Sequence, residues 1–205
     1  AGYSYGGQHA DFLEAWFVHT AGLKVVIPSN PADAYGLMLS CIDDDDPCIF
    51  IENLPHLRAA PTTAPERGKR VPLGKAHVLR TGKDVTVVTY SRQVHDAAAV
   101  ADKLAQEGIS VEVIDLRSIS PMDMPTVLAS VRKTGRALIV HEAVKSFGVG
   151  AEIASRLNEA LFGQLKAPVR RLGGAFCPVP FSKPLETAFI PGPTDIEAAI
   201  RTLLG

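Results

Sequence analysis

The chain has 205 residues, 46% of them hydrophobic and 21% charged, and a net charge of −1. Near-neutrality removes the electrostatic case for nucleic acid or an anionic membrane surface as partner. The three cysteines, Cys41, Cys48 and Cys177, are an odd number without C-x-x-C spacing. They argue against a disulfide framework or structural zinc and for a reducing compartment. No apolar run reaches the ~18 residues of a membrane span and no secretory signal opens the chain. The expectation is a cytoplasmic globular protein, or a mitochondrial-matrix one in a eukaryote.

In chain order, Phe12, Leu13, Trp16 and Phe17 fall at helical spacing between His9 and Thr20, and Gly22 stops the run. LKVVIP (23–28) reads as a buried strand ended by proline. Asn30–Pro31 reads as an N-cap with proline at the first helical position, opening a helix to about Ile42. PCIFIE (47–52) is a second buried strand. Residues 53–72 carry Pro55, Pro61, Pro65 and Pro72 among polar residues and read as an interdomain linker. Beyond it, 74–82 and 84–90 suggest a hairpin turning at Thr81–Gly82. Strands then alternate with helices: helix Gln93–Gln106, strand 111–116, helix Met122–Lys133, strand 136–143, helix Gly148–Leu165, strand Val169–Leu172 and helix Asp195–Leu204. That alternation is the mark of a parallel sheet covered by helices. Residues 1–52 supply only two strands, too few for a sheet by themselves, so the first part is expected to complete its sheet elsewhere or to be truncated.

Gly148-Val149-Gly150 opens a helix after a strand, but Ile153 stands where a dinucleotide fingerprint needs Gly or Ala. It reads as a turn that lets a helix approach the sheet. His141 and Glu142 end a strand and point to opposite faces, so they are expected in structural or interface roles rather than in one pocket. Asp43–Asp46 lacks the spacing of a calcium loop and reads as a solvated or cation-associated turn. The cysteines read as small buried hydrophobes. His9 follows Gly6–Gly7, which permit close backbone approach, and precedes a helix start. An imidazole there is either a proton-transfer group or a plain helix-start residue.

Five stretches together carry a resemblance. They are YGGQHADFLEAWFVHTAGLKVVIPSNPADAYGLMLSCIDDDDPCIFIE, GKDVTVVTYSRQVHDA, VEVIDLRSISPMD, TGRALIVHEA and PVPFSKPLETAFIP. They resemble, in order and over essentially the whole chain, the β subunit of the decarboxylating component of 2-oxoacid dehydrogenase complexes (pyruvate, branched-chain or acetoin type), in the transketolase superfamily. The resemblance implies an α/β fold: residues 1–66 as the later part of a pyrimidine-binding domain with linker, and 67–205 as a transketolase C-terminal, Rossmann-like domain. It also implies that about the N-terminal third of a family chain is not represented, including the acidic residue that contacts the cofactor's pyrimidine ring. Thiamine diphosphate with Mg²⁺ would belong to the complete heterotetramer and is not expected on this chain alone. Partners would be the α subunit, a second β subunit and the lipoyl acyltransferase core.

The family's GGQH-type motif falls on Gly6–His9, which implies a catalytic role for His9 near the lipoyl arm. Its potassium-stabilised turn falls on 41–46, which implies Cys41, Asp44 and Asp46 as cation ligands through main-chain carbonyls. The expected function is oxidative decarboxylation of a 2-oxoacid with acylation of lipoate. By itself the chain is expected to be inactive and to serve assembly. Transketolase, deoxyxylulose-phosphate synthase or a stand-alone interaction module are the alternatives.

Overall fold

A computed structural model describes residues 4–7, 9–54 and 65–205. The first part contains α1 (Glu14–Val18), β1 (Lys24–Val26), α2 (Pro31–Ile42) and β2 (Cys48–Phe50). The second contains β3 (His77–Arg80), β4 (Val85–Thr89), α3 (Gln93–Ala105), β5 (Val111–Asp115), β6 (Ser118–Ser120) and α4 (Met124–Thr134). It continues with β7 (Ala137–Val144), α5 (Val149–Leu161), β8 (Arg170–Gly174), α6 (Lys183–Phe189) and α7 (Pro193–Leu204).

The larger sheet runs β3-β5-β4-β7-β8. Strands β4, β5, β7 and β8 are parallel, and β3 is antiparallel on the edge. Alternation along β4 explains its two-sided burial. Val85 and Val87 face α3 and α7 through Val100, Leu104, Ile196 and Ile200. Val88 and Tyr90 face α4 and α5 through Val127, Val131, Ile153 and Leu157. Each such buried aliphatic side chain contributes roughly 1.5–3 kcal/mol. Val25 and Ile27 belong to this second cluster, so the first part of the chain shares a core with the C-terminal domain.

The smaller sheet runs β2-β1-β6. Strand β1 pairs parallel with β2 and antiparallel with β6, Val25 opposite Ser120 and Val26 opposite Ser118. The third strand therefore comes from the C-terminal domain, directly after β5.

Several expectations are corrected. Residues 74–82 do not form a hairpin with β4; β3 lies on the far side of β5. The helix expected over 9–20 is one short helix, Glu14–Val18, and it buries Glu14 while Trp16 is 71% exposed. The last helix begins at Pro193, and Asp195 caps it by accepting from Gly192 N–H at 2.8 Å. Strand β6 and helix α6 are additional elements. Of the expected linker, residues 55–64 lie outside the described residues. Its C-terminal part packs on α2: Val71 N–H donates to Gly36 carbonyl (3.1 Å), and Ser40 Oγ donates to Val71 carbonyl (2.7 Å). A Cβ on Gly36 would lie 2.7 Å from Val71 Cγ2, so glycine is what lets the two segments touch.

Candidate functional site

The glycine turn that carries His9 is held by its own backbone and by the far end of the chain. His9 and Ala10 N–H groups donate to Gly6 carbonyl at 3.3 and 3.0 Å. Gly6 lies against the Phe181 ring and Gly7 against Pro178 and Val179. Residues Ala10–Leu13 then run without regular structure into α1 and separate two clefts. The smaller, about 230 Å³, takes in Tyr5, His9, Phe17, Asn53 and Leu54. The larger, about 600 Å³, is mostly apolar, with Trp16, Phe147, Phe176 and Phe189 in its walls and Asp11, His19 and Glu142 as titratable groups.

Three buried carboxylates tie this segment and β2's end to the C-terminal domain. Glu186 accepts from Ser4 N–H at 3.0 Å and Ser4 hydroxyl at 3.2 Å. Glu142 accepts from Asn53 Nδ2 at 2.9 Å. Glu14 accepts from the Tyr90 hydroxyl at 2.6 Å. Burial raises Glu14 to about 7, against the opposing pull of the Tyr90 hydrogen bond. A fourth buried acid, Asp115, sits at the same junction. It accepts from the Ser29 hydroxyl and, at 3.1 Å, from Arg117 N–H, and burial raises it to about 7. Arg117 Nε reaches back to Asp33 at 2.9 Å.

Glu142 lines the larger cleft, whereas its neighbour His141 is fully buried on the other side of β7. Burial pushes His141 down to about 4, so it is a neutral imidazole at physiological pH. Its Nδ1 lies 3.0 Å from Ala143 carbonyl, and its ring fills the space beneath Gly148, Gly150 and Gly173. A Cβ on Gly150 would lie 2.8 Å from Nε2. The glycine pair thus brings α5 close to the sheet.

Cys41, Asp44 and Asp46 lie far in sequence from His9 and line neither cleft. The Asp44 carboxylate receives Lys24 Nζ at 2.6 and 2.7 Å, and Asp46 lies 3.1 Å from the same nitrogen. Lys24 thereby holds Asp44 below the usual carboxylate range. Burial, with Cys48 beside it, pushes the Cys41 thiol up to about 12. A protonated thiol and lysine-paired carboxylates are poor metal ligands, which leaves backbone carbonyls as the donors this turn can offer a cation. Among the described residues no group of three His, Cys, Asp or Glu side chains is arranged to hold a metal ion. The apolar walls around His9 can shape a cofactor's or substrate's organic part.

Sequence reasoning singled out His9, which lines the smaller cleft, and weighed Glu142, which lines the larger. It missed Glu14, Tyr90, Asn53, Ser4 and Glu186. No local signal marks Glu14, the one buried residue of a five-residue helix.

A mostly parallel sheet covered on both faces by helices, with a cleft beside the end of β7, defines an α/β domain of the Rossmann-like class. The chain belongs to the transketolase family: residues 74–196 match "Transketolase, C-terminal domain", and residues 2–59 match "Transketolase, pyrimidine binding domain". It is 42% identical over 196 residues to the pyruvate dehydrogenase E1 component subunit beta of Bacillus subtilis, covering 96% of this chain and 60% of that protein. It is 43% identical to the beta subunit of acetoin:2,6-dichlorophenolindophenol oxidoreductase of Cupriavidus necator (98% and 59% covered). To the 2-oxoisovalerate dehydrogenase subunit beta of Pseudomonas aeruginosa it is 40% identical (98% and 61%). The chain thus spans about 60% of the length of these relatives. A solved split-gene transketolase, an inactive beta4 tetramer, superposes with TM-score 0.79 over 97% of this chain and 63% of that one, at 23% identity. A Pichia stipitis transketolase mutant superposes at 0.66 over 97% of this chain and 28% of that one, at 15% identity. Among the described residues no helix is long and apolar enough to cross a membrane.

Proposed function

We propose that this chain is part of the β subunit of a 2-oxoacid dehydrogenase. In that assembly it takes part in oxidative decarboxylation of a 2-oxoacid and acylation of lipoate. The observation that carries the reading is that the β subunits of three such enzymes align along almost all of this chain at 40–43% identity. His9, exposed and lining a cleft between the glycine-turn segment and the chain just after β2, supports a place for proton transfer there. In this reading His9 donates to, or orients, the acyl group as it passes to the lipoyl arm.

Thiamine diphosphate with Mg²⁺ is the cofactor of the assembled enzyme and supplies the carbanion chemistry when bound. In this reading its metal and phosphates are held by the α subunit. A potassium ion at residues 41–46 would rest on main-chain carbonyls. The partners are the α subunit, a second β subunit and the lipoyl acyltransferase core, in the cytoplasm or the mitochondrial matrix.

By itself the chain serves assembly rather than catalysis. Exposed Trp16, Phe147, Phe176 and Phe181 support this second role, because aromatic side chains at 71–87% exposure suit a covered surface.

The test is a chimera. This chain replaces the matching 60% of the Bacillus subtilis β subunit and is expressed with that enzyme's α subunit. Turnover of pyruvate or a branched-chain 2-oxoacid is expected. A folded, assembled complex inactive on every 2-oxoacid tried would overturn the reading.

A further inference from the structure

Glu14 and Tyr90 meet across the junction although 76 positions separate them. One oxygen of Glu14 takes the Tyr90 hydroxyl; the other, Oε2, is buried without a partner among the described residues. A carboxylate with a bare buried oxygen is a costly place for full charge, and the neutral acid suits it better.

Besides Tyr90, only the backbone N–H of Glu14 itself relieves the charge among the described residues, and burial outweighs both. From β7 comes Glu142, whose charge opposes one on Glu14, and His141, stacked on Tyr90 with ring centroids 6.3 Å apart. Strand β1 brings Lys24, which is turned to Asp44 and Asp46, and β6 brings only Ser118, Ile119 and Ser120. On the same stretch of chain, Asp11 and His19 line the larger cleft.

Ala10–Leu13 form the wall common to both clefts and have no helical or strand bonds of their own. Ala10 packs with Val179, Phe189 and Ile190, Phe12 packs against the main core, and the turn on Gly6 and the anchor at Glu14 hold the two ends.

We propose that Glu14 is a positioning residue acting as a proton-dependent latch. Protonated, it holds the Ala10–Leu13 wall to the C-terminal domain through Tyr90; ionised, it confronts Glu142 and lets that wall move. The latch belongs to the fold of this chain and stands whichever role His9 plays.

Trp16, the sole tryptophan, sits two residues from Glu14 and lines the larger cleft. Its fluorescence in the 205-residue chain, followed from pH 5 to 9, reads the latch. One transition is expected near pH 7, and Glu14→Gln should abolish it. Glu142→Gln should lower the midpoint by about 0.5 pH unit or more by removing a like charge, and Tyr90→Phe should raise it similarly by removing the donor. His19→Gln should leave it in place. The proposal is overturned if the wild-type chain shows no transition, if Glu14→Gln retains it, or if His19→Gln removes it. Should Glu14→Gln fail to fold, an unmoved midpoint in both Glu142→Gln and Tyr90→Phe overturns it equally.

Discussion

Ser4 gives both its backbone N–H and its hydroxyl to a single oxygen of Glu186, 182 positions away in sequence. Glu186 is fully buried in the first turn of α6, and Lys183 approaches the same oxygen at 3.4 Å. The contact fixes the start of the glycine turn to the C-terminal domain. Glu186→Ala removes the acceptor of both Ser4 donors at a part-buried site, and a loss of about 2 kcal/mol in urea unfolding is expected. Ser4→Ala, which keeps the backbone bond, should cost about 1 kcal/mol or less.

The buried acids set the direction of the pH dependence. Glu14 and Asp115 are raised to about 7 in the fold from ordinary values of 4.5 and 3.8. Between those limits the folded state binds more protons than the unfolded one, so stability falls as pH rises and the loss is complete above about pH 7. Each group accounts for roughly 3–4 kcal/mol at one unit per 1.36 kcal/mol. Melting temperature should therefore be higher at pH 5.5 than at pH 8, and Asp115→Asn should flatten part of that slope. An equal or higher melting temperature at pH 8 would contradict the burial argument.

Gly82 shows why a glycine can mislead. Its place between two strands suggests a hairpin turn, but its role is contact with another strand. A Cβ there would lie 2.2 Å from Glu112 N and 2.3 Å from Val111 C, both backbone atoms at the start of β5. Gly82→Ala must displace the edge strand β3, and a destabilisation of about 3 kcal/mol is expected from equilibrium denaturation. Gly108→Ala, which meets nothing within 4 Å, tests the effect of positive φ alone (79°) and should cost less.

At the 43–46 turn, Lys24 supplies positive charge to Asp44 and Asp46. Lys24→Met should lower thermal stability in low salt, with the difference shrinking as salt is raised. A potassium ion held by main-chain carbonyls would in addition make potassium chloride more stabilising than sodium chloride at equal concentration. Identical melting curves in the two salts would count against it.

What could be read in advance follows from the range of the forces involved. The β-branched runs of β4, β5 and β7 are buried on both faces, so composition alone marks them as strands. The Asn30 cap appears where the sequence places it, with Asp33 N–H donating to Asn30 Oδ1 at 2.9 Å. Pairings that depend on distant partners left no local trace. Strand β6 is three residues whose one strand partner among the described residues is the distant β1. Glu14, Glu142 and Glu186 look like surface acids until the fold brings Tyr90, Asn53 and Ser4 to them. The apolar spacing of Phe12, Leu13, Trp16 and Phe17 points to a helix but misplaces its buried face, because the Glu14–Tyr90 bond turns that face inward.

The central claim concerns His9, and the most direct measurement separates two rates in the assembled chimera. Decarboxylation is followed with an artificial electron acceptor, and acyl transfer with lipoate. The account predicts that His9→Ala slows lipoate acylation by about 10²-fold while the artificial-acceptor rate changes little. Unchanged acylation in a fully assembled His9→Ala enzyme would contradict it.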